Sequence, residues 1–153
     1  MIIVNLNIRG LRGWTKASYI RNIIAKEGEQ LLCLQEVKAF TITDSRCFSL
    51  WGDNKVGWIL NEGESGAGST LSIWHKDAFD YERHVVGRGY ITIFGQHIVS
   101  KCHCAVINIY ASCNLPEKES LWEEVSNIRS AHQNLAWCFC GDFNVVDPKL
   151  AWE

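Results

Sequence analysis

Two polar side chains break an apolar run near one end of this sequence. Asp142 and Asn144 stand two apart where WCFC gives way to GDFN. Glu36 breaks LLCLQ in the same manner, and Asn7 and Tyr110 end the runs IIVNLN and VINIY. A carboxylate at the tip of a buried strand is costly if it stands alone. A hard divalent cation offsets that cost, and Mg²⁺ favours one or two carboxylates completed by neutral oxygen ligands and water. Glu36 and Asp142, with Asn7 and Asn144 as neutral ligands or donors, match that preference. Singly, each residue has a plainer reading: Asn forms turns, Asp before Phe-Asn makes an Asx turn, and Glu opens a solvated loop. Together they resemble a site gathered at the ends of several strands, which is how α/β proteins place chemistry on rigid elements.

The elements that must carry these residues follow from periodicity. MIIVNLNI reads as a β-branched strand. Thr15 is expected to cap a helix running to Lys26 or Glu27, with Tyr19, Ile20, Ile23 and Ile24 as its apolar stripe and Gly28 as its stop. QLLCLQEV is a short buried strand, TITDSRCFSLWG holds a short helix, and strands follow at VGWIL, STLSIW, YERHVV, YITIFGQHIVS and CAVINIYA. Pro116 opens a second long helix, buried through Leu121, Trp122, Val125 and Ile128, before the strand LAWCFCGD. So few helices cannot cover both faces of one large sheet. The expected architecture is an α/β arrangement of one mixed sheet packed on another, with helices outside.

Composition narrows the function classes. The chain has 153 residues, 47% hydrophobic and 21% charged, enough for a single domain. No stretch of eighteen apolar residues exists and the opening does not read as a signal peptide, so an intracellular protein is expected. Seven cysteines, an odd number, argue against a disulfide framework. The two C-x-C pairs, Cys102 with Cys104 and Cys138 with Cys140, lie in strands and lack zinc-site spacing, so they are read as small hydrophobes. Net charge is −2, but the five basic residues up to Lys26 meet no acidic one. A basic start of this kind, with Arg9, Arg12 and Lys16, faces either solvent or a polyanion.

The segments NLNIRGL, LLCLQEVK, GSTLSIWHK, INIYASCN, LWEEVSNIR and WCFCGDFNVV, in that order, resemble the endonuclease/exonuclease/phosphatase (DNase-I-like) superfamily. The likeness is greatest to the endonuclease domain of plant non-LTR retrotransposons. It runs from Ile2 to about Pro148. The resemblance implies a four-layer α/β sandwich, two mixed β-sheets face to face with helices outside, and Mg²⁺-dependent hydrolysis of a phosphoester, with Mn²⁺ as a substitute. It implies Asn7 and Glu36 at the metal, Glu36 as the direct ligand. Asp142 would activate water, Asn144 would hold a phosphate oxygen, and Tyr110 would hydrogen-bond near the scissile phosphate. Arg9 and Arg12 are candidates for phosphate contact. The implied partners are DNA and a reverse transcriptase domain of the ancestral protein, and the implied location is the nucleus.

The sequence departs from the family pattern. Arg9 stands where some relatives carry an acidic residue, and YASC replaces the Tyr-x-Pro step. The family completes its site with a C-terminal Ser-Asp-His segment, whereas all five histidines here precede GDFN. The expectation is therefore one incomplete domain over 1–153, weak or inactive as an endonuclease. Such a chain would have an uncovered sheet edge and low solubility. The alternatives are a non-catalytic remnant, a nucleic-acid-binding module using Arg9, Arg12 and Lys16, and a phosphatase of the same superfamily.

Overall fold

The computed structural model describes residues 1–11, 13–39, 41–63 and 68–145, without the side chains of Trp14 and Glu27. Eleven elements follow one another: β1 (Ile3–Asn7), α1 (Trp14–Glu27), β2 (Leu31–Gln35), α2 (Asp44–Trp51), β3 (Val56–Asn61), β4 (Thr70–His75), β5 (Phe79–Gly87), β6 (Tyr90–His97), β7 (Cys102–Tyr110), α3 (Leu115–Ala131) and β8 (Ala136–Asp142). They form two four-stranded sheets, ordered β1-β2-β4-β3 and β5-β6-β7-β8. Both are mixed: β1 with β2 and β7 with β8 are parallel, and the remaining pairs antiparallel. The expected four-layer α/β sandwich is the observed one.

Side-chain alternation builds the layers. Every residue of β2 is buried because the strand is covered on both faces. Leu32 and Leu34 join Ile20, Ile24, Leu50 and Trp51 under α1 and α2, while Leu31 and Cys33 meet Phe79, Ile91, Ile93 and Val106 between the sheets. On β7, Cys104 and Val106 face that inter-sheet core, and Ile107 and Ile109 lie in the cluster of Leu121 and Val125 under α3. Each such buried aliphatic side chain is worth roughly 1.5–3 kcal/mol.

Two details of α1 differ from expectation. Its N-cap is Gly13, at φ 93° and with no side-chain cap, so Thr15 lies inside the helix and not at its start. Tyr19 is 63% exposed, and Ala17 takes the inward position beside Ile20 and Ile24. The stop at Gly28 is as expected, left-handed and donating its N–H to Ile24. Asn114 caps α3 by accepting from the Glu117 N–H, with Pro116 in the first turn.

Among the described residues β1 and β8 are edge strands, one in each sheet. They lie close together: the Asn5 side chain donates to the Gly141 carbonyl at 3.3 Å. Phe139 on β8 is 38% exposed. No helix among the described residues is long and apolar enough to cross a membrane.

Candidate active site

Four strand ends deliver the polar residues to one place. Asn7 closes β1 and lies in register with Gln35, one residue before Glu36. Tyr110 closes β7 in register with Asp142 at the end of β8. Because β1 and β8 adjoin, all four ends point to the same margin of the sandwich.

Asn7 is the centre of the arrangement. Its Nδ2 donates to Glu36 Oε1 at 2.9 Å and to Asp142 Oδ2 at 2.7 Å, while its Oδ1 accepts the Arg9 N–H at 3.3 Å. The second Asp142 oxygen accepts the Asn144 N–H at 3.0 Å, so both of its oxygens are positioned. The Asn144 amide donates to the Ala111 carbonyl at 2.6 Å. The Tyr110 hydroxyl is held above its ordinary pKa, first by burial, then by the charge of Glu36 and a hydrogen bond to it. A hydrogen bond from Asn144 acts the other way, and Asp142 adds to the rise. Asn7, Glu36, Asp142 and Asn144 thus share one hydrogen-bonded group, and the Tyr110 hydroxyl lies beside it.

The backbone turns sharply to achieve this. Arg9, Glu36, Lys38 and Asn144 have φ between 43° and 54°. Gly10 and Leu11 donate to the Glu36 and Val37 carbonyls, and Ser69 receives the Val37 and Lys38 N–H groups at 3.1 and 2.7 Å. Lys16 donates to the carbonyls of Ile8, Arg9 and Gly10 at 2.7, 3.3 and 3.0 Å. The basic start therefore has a structural share: the exposed Lys16 ammonium secures the loop through three backbone carbonyls. Arg9 is exposed at the rim. Arg12 lies outside the described residues.

Beneath the site runs a polar network that the sequence reading did not single out. Gln35 Nε2 donates to Asn5 Oδ1 at 2.7 Å and to Asn108 Oδ1 at 2.6 Å. The Asn108 amide in turn donates to the Leu34 and Leu71 carbonyls and to Ser72 Oγ, at 3.3, 3.1 and 3.2 Å. It ties the two sheets directly under the strand ends. The one available signal was an Asn in the middle of VINIY.

None of the five histidines joins the site. His75 pairs with Asp53, His84 with Tyr81, His97 with Ser100, His103 with Gln96 and Glu82, and His132 with Arg83. The donor set nevertheless suits a hard cation. Two carboxylates converge on one carboxamide, whose amide nitrogen now bridges them, and this is the low-carboxylate set that Mg²⁺ favours. No group of three or more acidic, His or Cys side chains with metal-binding geometry occurs among the described residues. Beside Tyr110 opens a cleft of about 770 Å³, lined by Leu60, Val86, Arg88, Ser112 and Leu121.

No protein-family model matches the sequence, nor does any curated protein. Solved structures do. The human Nocturnin catalytic domain with a bound sulfate anion aligns with a TM-score of 0.67 at 14% identity, over 94% of this chain and 64% of that one. An AP endonuclease from Leishmania major aligns at 0.71 with 19% identity, over 94% and 55%. A mannosyl-6-phosphatase from Bacteroides thetaiotaomicron aligns at 0.69 with 14% identity, over 95% and 66%. The chain thus spans between about half and two-thirds of the length of these proteins. At such identities the likeness speaks for architecture, and the architecture of this chain is that of the endonuclease/exonuclease/phosphatase structures.

Proposed function

We propose that the chain is a Mg²⁺-dependent phosphodiesterase that nicks DNA, derived from the endonuclease domain of a non-LTR retrotransposon. The observation that carries this reading is the convergence of Asn7, Glu36, Tyr110, Asp142 and Asn144 from four strand ends. Glu36 and Asn7 are the residues that would hold Mg²⁺, or Mn²⁺ in its place. The bound ion would supply charge stabilisation at the phosphoryl oxygens.

The protein's own groups supply the remainder. Asp142, fixed through both oxygens by Asn7 and Asn144, positions a water and accepts its proton. Tyr110 stays protonated at neutral pH and offers its hydroxyl to a phosphate oxygen. Arg9, exposed beside them, contacts the DNA backbone, a role extended to Arg12. A nuclear location and a reverse transcriptase partner belong to the same reading. The binding-module alternative, using Arg9, Arg12 and Lys16, is separated from this reading by DNA binding that is steep in salt and indifferent to Mg²⁺. A phosphatase acting on a small phosphoester in the cleft beside Tyr110 is the second reading, supported by the mannosyl-6-phosphatase likeness.

The test is nicking of supercoiled plasmid with Mg²⁺ or EDTA, with a small phosphomonoester assayed alongside. Glu36→Gln and Asp142→Asn should each lower metal-dependent nicking by roughly two orders of magnitude or more. Nicking that survives both substitutions would refute the assigned site. A folded chain that cleaves only the phosphomonoester would favour the second reading, and one that cleaves neither would make it a remnant.

A further inference from the structure

Aromatic rings crowd the outer face of β8. Cys138 and Cys140 turn toward the inter-sheet core, so strand alternation turns Trp137 and Phe139 away from it. Their ring centres lie 6.0 Å apart, with the planes at 30°. Trp137 is fixed from two sides. Its indole N–H donates to the His132 carbonyl at 3.2 Å, and Phe94 meets it edge-on at 5.9 Å. Arg83 covers Phe94 at 3.8 Å from the ring centre, with its Nη2 2.6 Å from His132 Nε2. Phe139 is 38% exposed. Beside it lies a recess of about 560 Å³, lined by Arg129, Ser130, Gln133, Leu135 and the two rings. That lining holds one cation and no carboxylate. Farther along the chain Phe143 stacks on Trp122 at 5.8 Å, between Asp142 and Asn144 in sequence. The proposed hydrolysis uses none of these groups.

We propose that Trp137 and Phe139, with Arg129, form a platform for unpaired bases of single-stranded DNA. Single strands are held by a cation on the backbone and aromatic faces under the bases, and every base has a face to offer. The β8 face supplies both kinds of group within one recess. Other occupants satisfy only half of it. An apolar helix would bury Phe139 and leave Arg129 without a counter-charge, and an acidic peptide would pair Arg129 and leave the rings in water. A duplex keeps its bases stacked on one another, so it brings the recess only phosphates. The indole is already locked by His132 and Phe94, which removes part of the ordering cost of binding. That the strand is DNA rests on the nicking activity proposed above; that it is unpaired rests on the rings alone.

The platform is tested by fluorescence anisotropy of a labelled oligothymidylate of about eight nucleotides. The full chain is titrated in EDTA, so binding is read whether or not the protein nicks plasmid, and the two ideas fail separately. Phe139→Ala should weaken binding roughly tenfold, the loss of one stacked base, while Phe139→Tyr keeps a ring and should bind like the wild type. Arg129→Gln should lower the slope of log affinity against log salt by about 0.7, one phosphate of a single strand. Val99→Ala trims an apolar side chain 78% exposed elsewhere and should change nothing. Circular dichroism checks the fold of each variant. A duplex of equal length bound as tightly, or Phe139→Ala binding like the wild type, would overturn the platform. A wild-type dimer in sedimentation equilibrium that Phe139→Ala dissolves would give the face to a second copy and overturn it as well. Oligouridylate bound more tightly than oligothymidylate would overturn the assignment to DNA.

Discussion

Gly141 is where the fold and the candidate site depend on one missing carbon. Its φ is 145°, and a Cβ built on it would stand 2.0 Å from the Ile109 carbonyl oxygen, with further Ile109 backbone atoms at 2.8 Å. In Gly141→Ala two costs combine. A side chain at that φ stores roughly 1–3 kcal/mol of strain. The clash is with backbone, so no rotamer change relieves it, and β8 must move off β7 at an overpacking cost of about 1–3 kcal/mol. A total of about 4 kcal/mol lowers the melting temperature by roughly 8–16 °C for a chain of this size. The moved strand carries Asp142, whose Oδ2 is 2.7 Å from Asn7. A displacement of about 1 Å there costs on the order of 10² in rate. Gly28→Ala is the control: φ is 67°, but nothing lies within 4 Å of its Cβ. It should cost only the left-handed backbone strain of about 1–2 kcal/mol and leave nicking unchanged. Thermal denaturation followed by circular dichroism, beside the plasmid assay, measures both effects. A Gly141→Ala chain that melts with Gly28→Ala, or nicks like the wild type, would refute the reasoning.

Two further substitutions probe the core beneath the site and the chemistry of a buried phenol. Asn108→Ala removes the donor to Leu34, Leu71 and Ser72 and the acceptor of Gln35. Urea denaturation should show a loss of about 2–4 kcal/mol from unpaired polar groups and the void; a loss well under about 1 kcal/mol would mean the network contributes little. Tyr90 has its pKa pushed up to about 12 by burial and then by its hydrogen bond to Glu124 and the charge there. The unfolded chain sheds this proton from about pH 10 while the native state retains it, so stability present below pH 10 is lost as pH rises through 12. Tyr90→Phe should flatten that alkaline fall in denaturation measured across the interval, and an unchanged slope would refute the assignment.

The strands were legible because β2, β4, β6 and β7 are rich in Leu, Ile and Val, with only isolated polar residues such as Ser72, Thr92 and Asn108 among them, and are buried along most of their length. The convergence of candidate residues was foreshadowed because Glu36, Tyr110 and Asp142 interrupt or end such runs. The start of α1 was not: a glycine at φ 93° supplies the N-cap where Thr15 offered a better local rule, and the chain arriving from the Lys16-bound loop decides the matter. Asn108 escaped notice because its partners lie on β2 and β4, 36 to 74 residues away, so no local pattern marks it. Lys16 was read by its charge, yet its place in space is set by three carbonyls of a loop six to eight residues before it. Local periodicity carries the layers, and long-range hydrogen bonds carry the exceptions.

Backbone strain and candidate chemistry coincide in this fold. Of five non-glycine residues with positive φ among the described ones, Arg9, Glu36, Lys38 and Asn144 border the site, and Lys101 alone lies elsewhere. Each costs about 1–2 kcal/mol relative to a relaxed backbone, and Glu36 lacks the local tolerance that Asn has for this conformation. Glycine would remove that cost at Arg9, Glu36 and Lys38, as it does at Gly10 and Gly68 nearby. The structure supplies the restraint instead, through Ser69 on one side and Lys16 on the other. Side chains held where glycine would be cheaper are consistent with their being used, since a strand needs no carboxylate to end. The turn at Glu36 aims its Oε1 at the same Asn7 nitrogen that meets Asp142, 135 residues away in sequence from Asn7. A fold that only had to be stable could leave those two carboxylates apart.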